Sequence, residues 1–218
     1  MESFLGYSIK ILPFLLKGMQ QTLILTAASA TFGTLLGLLL ALARIAPARF
    51  VRTVAGGYVT IFRGTPLMLQ ILFIWGALPE IGIVLPDTAC VIIALSMNAG
   101  AYIAEIIRAA IQSIDRGQME AARSLGMSYG LAMRRVILPQ TFRRLLPPMV
   151  NELAALTKDT SLAMVVGIVE LLKASQQQQS QSFRPAETYV WTALGYLLVT
   201  ITLMSLANRF EKKLEARG

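Results

Sequence analysis

Five polar side chains stand inside stretches of this sequence that are otherwise apolar enough to lie in a lipid bilayer. They are Gln70, Asn98, Asp159, Thr160 and Ser161. Polar and ionisable groups within a membrane span are costly, and by default they mark a pathway for a polar solute. The chain has no histidine, which excludes Ser-His-Asp chemistry and histidine-based zinc sites. We therefore predict that these side chains line a cavity for a polar molecule and do not form a catalytic or metal centre.

Asp159 offers a charge for an ammonium group or a basic side chain, and Asn98 offers both a donor and an acceptor. Three further charged residues, Arg63, Glu105 and Glu152, lie near predicted span ends, where a structural role is the simpler interpretation. Lys158 precedes Asp159 directly, so the two side chains point about 100° apart on a helix and cannot both face lipid.

The elements that must position these groups are long apolar segments. Of the 218 residues, 55% are hydrophobic and 15% are charged, which is the composition of a membrane protein. A membrane-spanning helix needs about 20 mostly apolar residues. The segments that meet this need are 18–43, 54–78, 88–107, 145–169 and 188–208. We predict an all-α membrane protein with five transmembrane helices and a single domain over residues 1–218.

The basic residues are distributed unevenly between the two sides of this plan. Fourteen of the 20 Lys and Arg residues fall on the side that holds the C-terminus and the loop at about 109–144, and four fall on the other side. Because cytoplasmic loops are enriched in basic residues, we predict a cytoplasmic C-terminus and an N-terminus outside. The pI near 10.0 therefore reports topology and does not indicate a nucleic-acid partner.

The connecting segments are less informative. Residues 3–16 have the pattern of a short amphipathic segment at the outer surface. The Gln/Ser-rich run 175–183 is typical of a solvated external loop. Cys90, which is the only cysteine, lies in an apolar segment and is best explained as a small buried hydrophobe.

The basic loop contains a predicted helical hairpin over residues 118–140. Gln118 to Leu125 are good helix formers, and Gly126 suits the left-handed position just past a helix end. Ser128 is placed to cap a second helix, which Pro139 is expected to end. From spacing alone, an ordinary amphipathic cytoplasmic hairpin would also fit.

The residues of this hairpin resemble the EAA loop of ATP-binding-cassette (ABC) importer permeases. The motif residues are Glu120, Ala121, Ala122, Gly126, Leu138 and Pro139, and Val136 stands where the family usually has Ile. In that family the loop is the surface on which the ATPase subunit docks. The resemblance implies an ATPase-coupling role for these residues, together with the nearby exposed Arg134.

Further motifs are similar to those of the permeases for polar amino acids, a subfamily that includes carriers for arginine, histidine, glutamine, glutamate and cystine. They are Arg63-Gly-Thr-Pro-Leu67, Gly100-Ala-Tyr-Ile-Ala-Glu-Ile-Ile-Arg108, Ser113-Ile-Asp-Arg-Gly-Gln118 and Lys158-Asp-Thr-Ser-Leu162. The resemblance covers roughly residues 10–215. It implies the small type I importer permease fold and a place in a bacterial inner membrane.

The same resemblance implies the partners. They are two ABC ATPase subunits, a second permease chain that is identical or different, an extracytoplasmic solute-binding protein and a polar amino acid substrate. The chain itself is expected to need no cofactor. None of its lysines stands in a G-K-[ST] phosphate loop, so ATP and magnesium belong to the ATPase.

Two other classes of function remain open at this point. A membrane signalling or anchoring subunit would keep the docking hairpin, but it would not need polar residues at mid-membrane. An intramembrane enzyme would require a serine–lysine pair, for which Lys158 and Ser161 have a permissive i, i+3 spacing.

Overall fold

The computed structural model describes the backbone of residues 4–215, with side chains over that range except at Leu5, Asn208 and residues 210–215. The α-helices are α1 (Phe4–Ile45), α2 (Arg49–Gly64), α3 (Leu67–Ala77), α4 (Asp87–Gln112), α5 (Arg116–Ser124), α6 (Tyr129–Ala132), α7 (Leu138–Asp159), α8 (Leu171–Ser182) and α9 (Pro185–Glu215). A 3₁₀ turn forms at Pro79–Ile81, a π turn at Met133–Ile137, and a 3₁₀ segment at Thr160–Val166. Residues 4–215 contain no strand, which confirms the all-α class.

The second predicted span is a bent pair of helices. By length and composition, α1, α4 and α9 are each suited to cross a membrane, whereas α2 and α3 qualify only together and bend by 103° at the break between them. Pro66 supplies no N–H for a continuing helix and disfavours the helical conformation at Thr65. Thr65 accordingly has φ −117° and ψ 147°. A single helix over 54–78 is therefore wrong.

The fourth predicted span, 145–169, falls on α7 and the 3₁₀ segment that continues it. α7 begins at Leu138 and carries Pro147 and Pro148 in its interior. By length and apolar composition, α7 does not qualify as a membrane span. Within the described residues, three helices qualify, or four spans if the bent pair α2–α3 is counted as one. The 3₁₀ segment ends at Val166 and is followed by Gly167, which has a φ of 88°.

Residues 4–16 form the first turns of α1 and not a separate surface segment, while residue 3 lies outside the described range. Tyr7, Ile11 and Leu15 are buried in a cluster with Leu171 of α8. The Tyr7 hydroxyl lies 2.6 Å from Thr188 Oγ1 of α9. The amphipathic pattern of this segment therefore reflects packing between helices.

The run 175–183, predicted as a loop, is helical through Ser182 and belongs to α8. Glu170 caps this helix: its carboxylate accepts hydrogen bonds from the main-chain N–H groups of Leu172 and Lys173 at 2.8 and 2.7 Å. The Tyr196 hydroxyl of α9 donates to the same carboxylate at 2.8 Å. Glu170 is completely buried, so these donors satisfy a charge that water does not reach.

The centre of the fold is the contact between α1 and α4, which small residues make close. A Cβ on Gly37 would lie 2.6 Å from Cγ2 of Ile103, and one on Gly100 would lie 3.0 Å from Cδ2 of Leu36. Glycine at such positions allows two helix backbones to approach each other in a membrane. The α1–α4 pair thus forms a scaffold on which α2, α3 and α7 pack.

Candidate functional site

The amide side chains of Gln70 and Asn98 stabilise the break between α2 and α3. Both residues were predicted from the sequence as candidate solute-binding residues. Gln70 Nε2 donates to the main-chain oxygens of Phe62 and Thr65 at 2.9 and 3.1 Å, and to Thr65 Oγ1 at 2.8 Å. Asn98 Nδ2 donates to the Phe62 oxygen at 3.0 Å and to Gln70 Oε1 at 3.1 Å. A break inside a membrane is tolerated where neighbouring groups satisfy the freed backbone, and these amides do so here.

A cavity of about 390 Å³ lies beside this break. Its lining residues are Thr65, Pro66, Leu67, Asn98, Tyr102, Glu152, Ala155 and Asp159. Glu152 and Asp159 stand seven residues apart on α7, so they share one face of that helix. Asn98 and Tyr102 stand four residues apart on α4 and share one face in the same way. Two carboxylates, an amide and a phenol therefore meet at one cavity.

The five predicted solute-binding residues have different positions relative to this cavity. Asn98 and Asp159 line it, while Gln70 lies behind Asn98 at the helix break. Thr160 is completely buried, and its hydroxyl donates to the main-chain oxygen of Thr157 at 2.8 Å. Ser161 is half-buried in the 3₁₀ segment and is not a lining residue. The cavity therefore gathers two of the five.

Two lining residues with titratable side chains, Glu152 and Tyr102, were not among the predicted binding residues. Glu152 was interpreted as structural, but it faces the cavity, and Tyr102 was not singled out as a site residue. The signals that point to them are the spacings from Glu152 to Asp159 and from Asn98 to Tyr102. Each spacing returns to the same face of a helix after whole turns.

A second pocket, of about 510 Å³, shares Tyr102 with the cavity as a lining residue. The guanidinium of Arg63 lies 4.9 Å from the centre of the Tyr102 ring, a cation–π distance. At the wall of this pocket, Glu105 pairs with Arg108 at 2.6 Å and with Arg44 at 3.1 Å. Glu105 therefore has a structural partner on α1 and another on α4, as its position near a span end suggested.

The hairpin has the local geometry that its sequence predicts. Asp115 Oδ1 accepts from the Gly117 N–H at 2.7 Å and caps α5. Gly126 has a φ of +83°, the left-handed conformation that glycine adopts without strain. Ser128 Oγ accepts from the Leu131 N–H at 3.3 Å and caps α6. The predicted turn and cap are confirmed.

The second helix of the hairpin does not end at Pro139. α6 passes into the π turn Met133–Ile137 and then into α7, where Pro139 stands at the second position. The Leu138 N–H donates to the Met133 oxygen, which is the i−5 bond of the π turn, so the helix does not break ahead of Pro139. A continuous helical path therefore runs from Ser128 at the hairpin to Asp159 at the cavity.

Most of the predicted coupling residues are exposed on this hairpin. Glu120, Ala121, Gly126, Arg134, Leu138 and Pro139 are exposed, whereas Ala122 is buried. Leu125 and Tyr129, which flank the turn, are 81% and 59% exposed. The hairpin thus presents apolar and charged side chains together, with no covering element in the described part of the chain.

Comparison with known proteins identifies the fold and the family. Residues 33–217 match the family model described as the binding-protein-dependent transport system inner membrane component. The chain belongs to this family. The arginine transport system permease protein of Bacillus subtilis (strain 168) is 36% identical over 210 residues, covering 96% of each chain. The glutamine transport system permease protein of Escherichia coli (strain K12) is 37% identical over 207 residues, covering 94% of each.

Solved structures agree with this family assignment. An amino acid ABC transporter crystallised with histidines superposes with a TM-score of 0.90 at 38% identity, covering 98% of this chain and 99% of the other. A chain of an inward-facing methionine ABC transporter superposes with a TM-score of 0.75 at 22% identity, covering 92% and 96%, which shows the fold alone.

As a member of the family, this chain is a membrane permease subunit of the type I ABC importer fold. Family membership implies an ATPase and a binding protein as partners. The relatives named above are transport permeases, which does not favour a signalling or anchoring subunit. For the intramembrane enzyme, Lys158 and Ser161 make no hydrogen bond with each other in the part of the chain that the structure describes.

Proposed function

We propose that this permease subunit imports a polar amino acid and that its substrate passes the cavity between α4 and α7. The observation that carries the proposal is the shared cavity face of Glu152 and Asp159, opposite Asn98 and Tyr102. The relatives named for arginine and glutamine transport, and the solved transporter with histidines, support the same substrate class.

The chemistry of an amino acid explains why these groups suit it. At neutral pH the substrate carries an ammonium and a carboxylate, and both need partners away from bulk water. The carboxylates of Glu152 and Asp159 match the ammonium or a cationic side chain. Asn98 adds an amide oxygen and Arg63, at the Tyr102 wall, adds a cation that suits the carboxylate. Thr160 and Ser161 follow Asp159 directly in the chain but do not line the cavity, so they have no direct contact with the substrate in this scheme.

Coupling to ATP hydrolysis occurs at the hairpin. Leu125 and Tyr129 offer apolar surface beside the charges of Glu120 and Arg134, which is the composition of a protein-binding patch. Because α6 continues into α7, a displacement of the hairpin by the ATPase is transmitted along one helical path to Glu152 and Asp159. This arrangement supports alternating access, in which the ATPase closes on ATP and opens the cavity outward. ATP and magnesium reside on the ATPase, and this chain contributes no cofactor.

The assembly consists of two permease chains, identical or different, with two ATPase chains and an extracytoplasmic solute-binding protein. In the bacterial cytoplasmic membrane the N-terminus lies outside and the C-terminus lies in the cytoplasm. The uneven distribution of Lys and Arg supports this orientation. The hairpin then faces the ATPase side, and α8 faces the binding-protein side.

The proposal is tested by reconstituting the permease with its ATPase and binding protein in proteoliposomes. Uptake of labelled amino acids and ligand-stimulated ATP hydrolysis are measured across the common polar amino acids. We expect one or a few of them to stimulate both. Stimulation by a sugar or an apolar amino acid alone would contradict the proposed substrate class.

A further inference from the structure

A cluster of arginines lies at the junction where α1 ends and α2 begins, away from the cavity and the hairpin. Arg44 belongs to the last turn of α1, and Arg49 and Arg52 belong to the first turn of α2. They surround a pocket of about 360 Å³, here named the junction pocket. Its lining residues are Arg44, Arg49, Arg52, Thr53, Gly56 and Thr60.

Among residues 4–209, whose side chains are described except at Leu5 and Asn208, acidic groups balance the positive charge of the junction pocket only in part. Arg44 shares the carboxylate of Glu105 with Arg108. The Arg52 guanidinium donates only to the neutral main-chain oxygens of Ala46 and Pro47, at 3.2 and 3.5 Å. The Arg49 guanidinium makes no hydrogen bond or ion pair with the part of the chain that the structure describes. The pocket therefore holds an excess of guanidinium groups, and an anion would balance it.

Gly56 makes the arrangement possible. A Cβ at this position would lie 2.6 Å from Nη1 of Arg44, and no other atom except Arg44 Cζ lies within 4 Å. Because Gly56 has no side chain, the Arg44 guanidinium can lie against the surface of α2. It there faces the same pocket as Arg49 and Arg52. Any larger residue would push this guanidinium away without disturbing the core.

The surroundings of the pocket indicate what carries the anion. On the neighbouring face of α2, Phe50, Val54 and Ile61 are 79%, 57% and 60% exposed. Their spacing places them in one apolar stripe, about 100° around the helix from the pocket residues. The apolar span of α1 ends at Ile45, directly beside the pocket, so the arginines stand at the level where a bilayer meets water. A ligand that fits both features has a phosphate and long apolar chains.

We propose that the junction pocket binds an anionic phospholipid, with its phosphate among Arg44, Arg49 and Arg52 and its acyl chains against the apolar stripe of α2. Arginine binds phosphate oxygens in a bidentate manner, and basic pockets between membrane helices are suited to anionic headgroups. Free phosphate offers the same headgroup chemistry but leaves the apolar stripe uncovered. The inference does not depend on which solute the protein carries.

The test uses the intact importer complex, purified with its ATPase and exposed to equal amounts of phosphatidylglycerol and phosphatidylcholine. Native mass spectrometry counts the bound lipids per permease chain. The wild type should retain phosphatidylglycerol preferentially, and excess inorganic phosphate should not displace it. Equal retention of the two lipids, or displacement by inorganic phosphate, would overturn the assignment.

Variants locate the site. The double variant R49Q/R52Q should bind phosphatidylglycerol about 30-fold more weakly, at roughly fivefold per arginine near a membrane surface. The control R116Q/R143Q removes the same charge from exposed positions outside the pocket and should bind as wild type. Gly56→Ala keeps every charge but displaces Arg44, and it should also weaken binding. If R49Q/R52Q and Gly56→Ala retain the lipid as well as the control does, the site does not exist.

Discussion

The side-chain nitrogen of Asn98 on α4 lies 3.0 Å from the main-chain oxygen of Phe62 on α2, and this hydrogen bond ties α4 to the end of α2 at the break in the second span. Gln70 donates to the same oxygen from the other side of the break, at 2.9 Å. The two amides thus turn a proline-induced interruption into a defined joint. The joint forms one wall of the cavity to which Glu152 and Asp159 contribute the other.

Replacing Gln70 by Met should destabilise the protein by about 1–3 kcal/mol, because the change removes the amide donor to Phe62 and Thr65 and takes one acceptor from the buried Asn98 amide. Thermal unfolding of the purified complex measures the effect as a lower Tm. Gln177→Met, at an exposed position of α8, is the matched control and should leave the Tm unchanged. A Gln70→Met variant as stable as this control would show that water or rearrangement replaces the amide.

Replacing Asp159 by Asn should lower uptake, while expression, complex assembly and basal ATP hydrolysis are largely kept. The substitution preserves size and hydrogen bonding but removes the charge that is proposed to face the ammonium group. Glu152→Gln should act in the same direction because it shares the cavity. The control is Lys158→Gln, which removes a charge from an exposed neighbour. Loss of assembly in Asp159→Asn would instead indicate a structural role, and unchanged uptake kinetics would remove Asp159 from the pathway.

Replacing Gly126 by Val should uncouple ATP hydrolysis from uptake. A β-branched residue in the left-handed conformation is strained by roughly 1–2 kcal/mol, so the turn between α5 and α6 changes shape. Gly130→Val is the matched control, since both glycines face open space but only Gly126 has a positive φ.

Glu120→Lys should weaken ATPase association through charge reversal. Normal transport and ATPase binding in both Gly126→Val and Glu120→Lys would refute the coupling role of the hairpin.

Replacing Tyr196 by Phe should lower stability by about 1–3 kcal/mol, because the buried Glu170 carboxylate loses a donor. The same carboxylate caps α8, so the expected first event on heating is loss of order in that helix. Hydrogen exchange at Leu172 and Lys173 measures it directly. Tyr189→Phe, at an exposed position of α9, serves as the control. Equal protection in the two variants would mean that the cap does not need the tyrosine.

Cysteine labelling in a Cys90→Ala background should place Ser180 and Ser128 on opposite sides of the membrane. Both side chains are exposed to solvent, so an impermeant reagent can reach each of them from its own side. We expect labelling at position 180 in intact cells and at position 128 only after the membrane is opened. Labelling of both positions from outside would overturn the proposed orientation.

The features that could be predicted from the sequence are those that depend on near neighbours along the chain. The left-handed turn at Gly126 and the cap at Ser128 involve groups within three residues of each other. The helical class and the apolar spans follow from composition over about 20 residues. The family motifs are likewise contiguous, which is why the resemblance could be recognised from the sequence.

Pro139 and the run 175–183 show where local patterns mislead. A proline usually ends a helix, but a π turn ahead of it lets α6 continue into α7. The Gln/Ser-rich run has the composition of a loop, yet Glu170 caps it and Tyr196 from a distant helix holds that cap. In both places the interaction that sets the local conformation lies outside the segment from which the prediction was made.

The sequence by itself thus determined a helical membrane chain, the turn of its hairpin and the family to which it belongs. Only the tertiary structure decided that Glu152 and Asp159 share a cavity with Asn98 and Tyr102, that Thr160 is buried away from it, and that Gln70 serves the helix break. The reason is physical: local conformation depends on groups a few residues apart, whereas a cavity depends on how helices far apart in the chain cross. That crossing is set by close contacts such as Gly37 against Ile103, which no single segment contains.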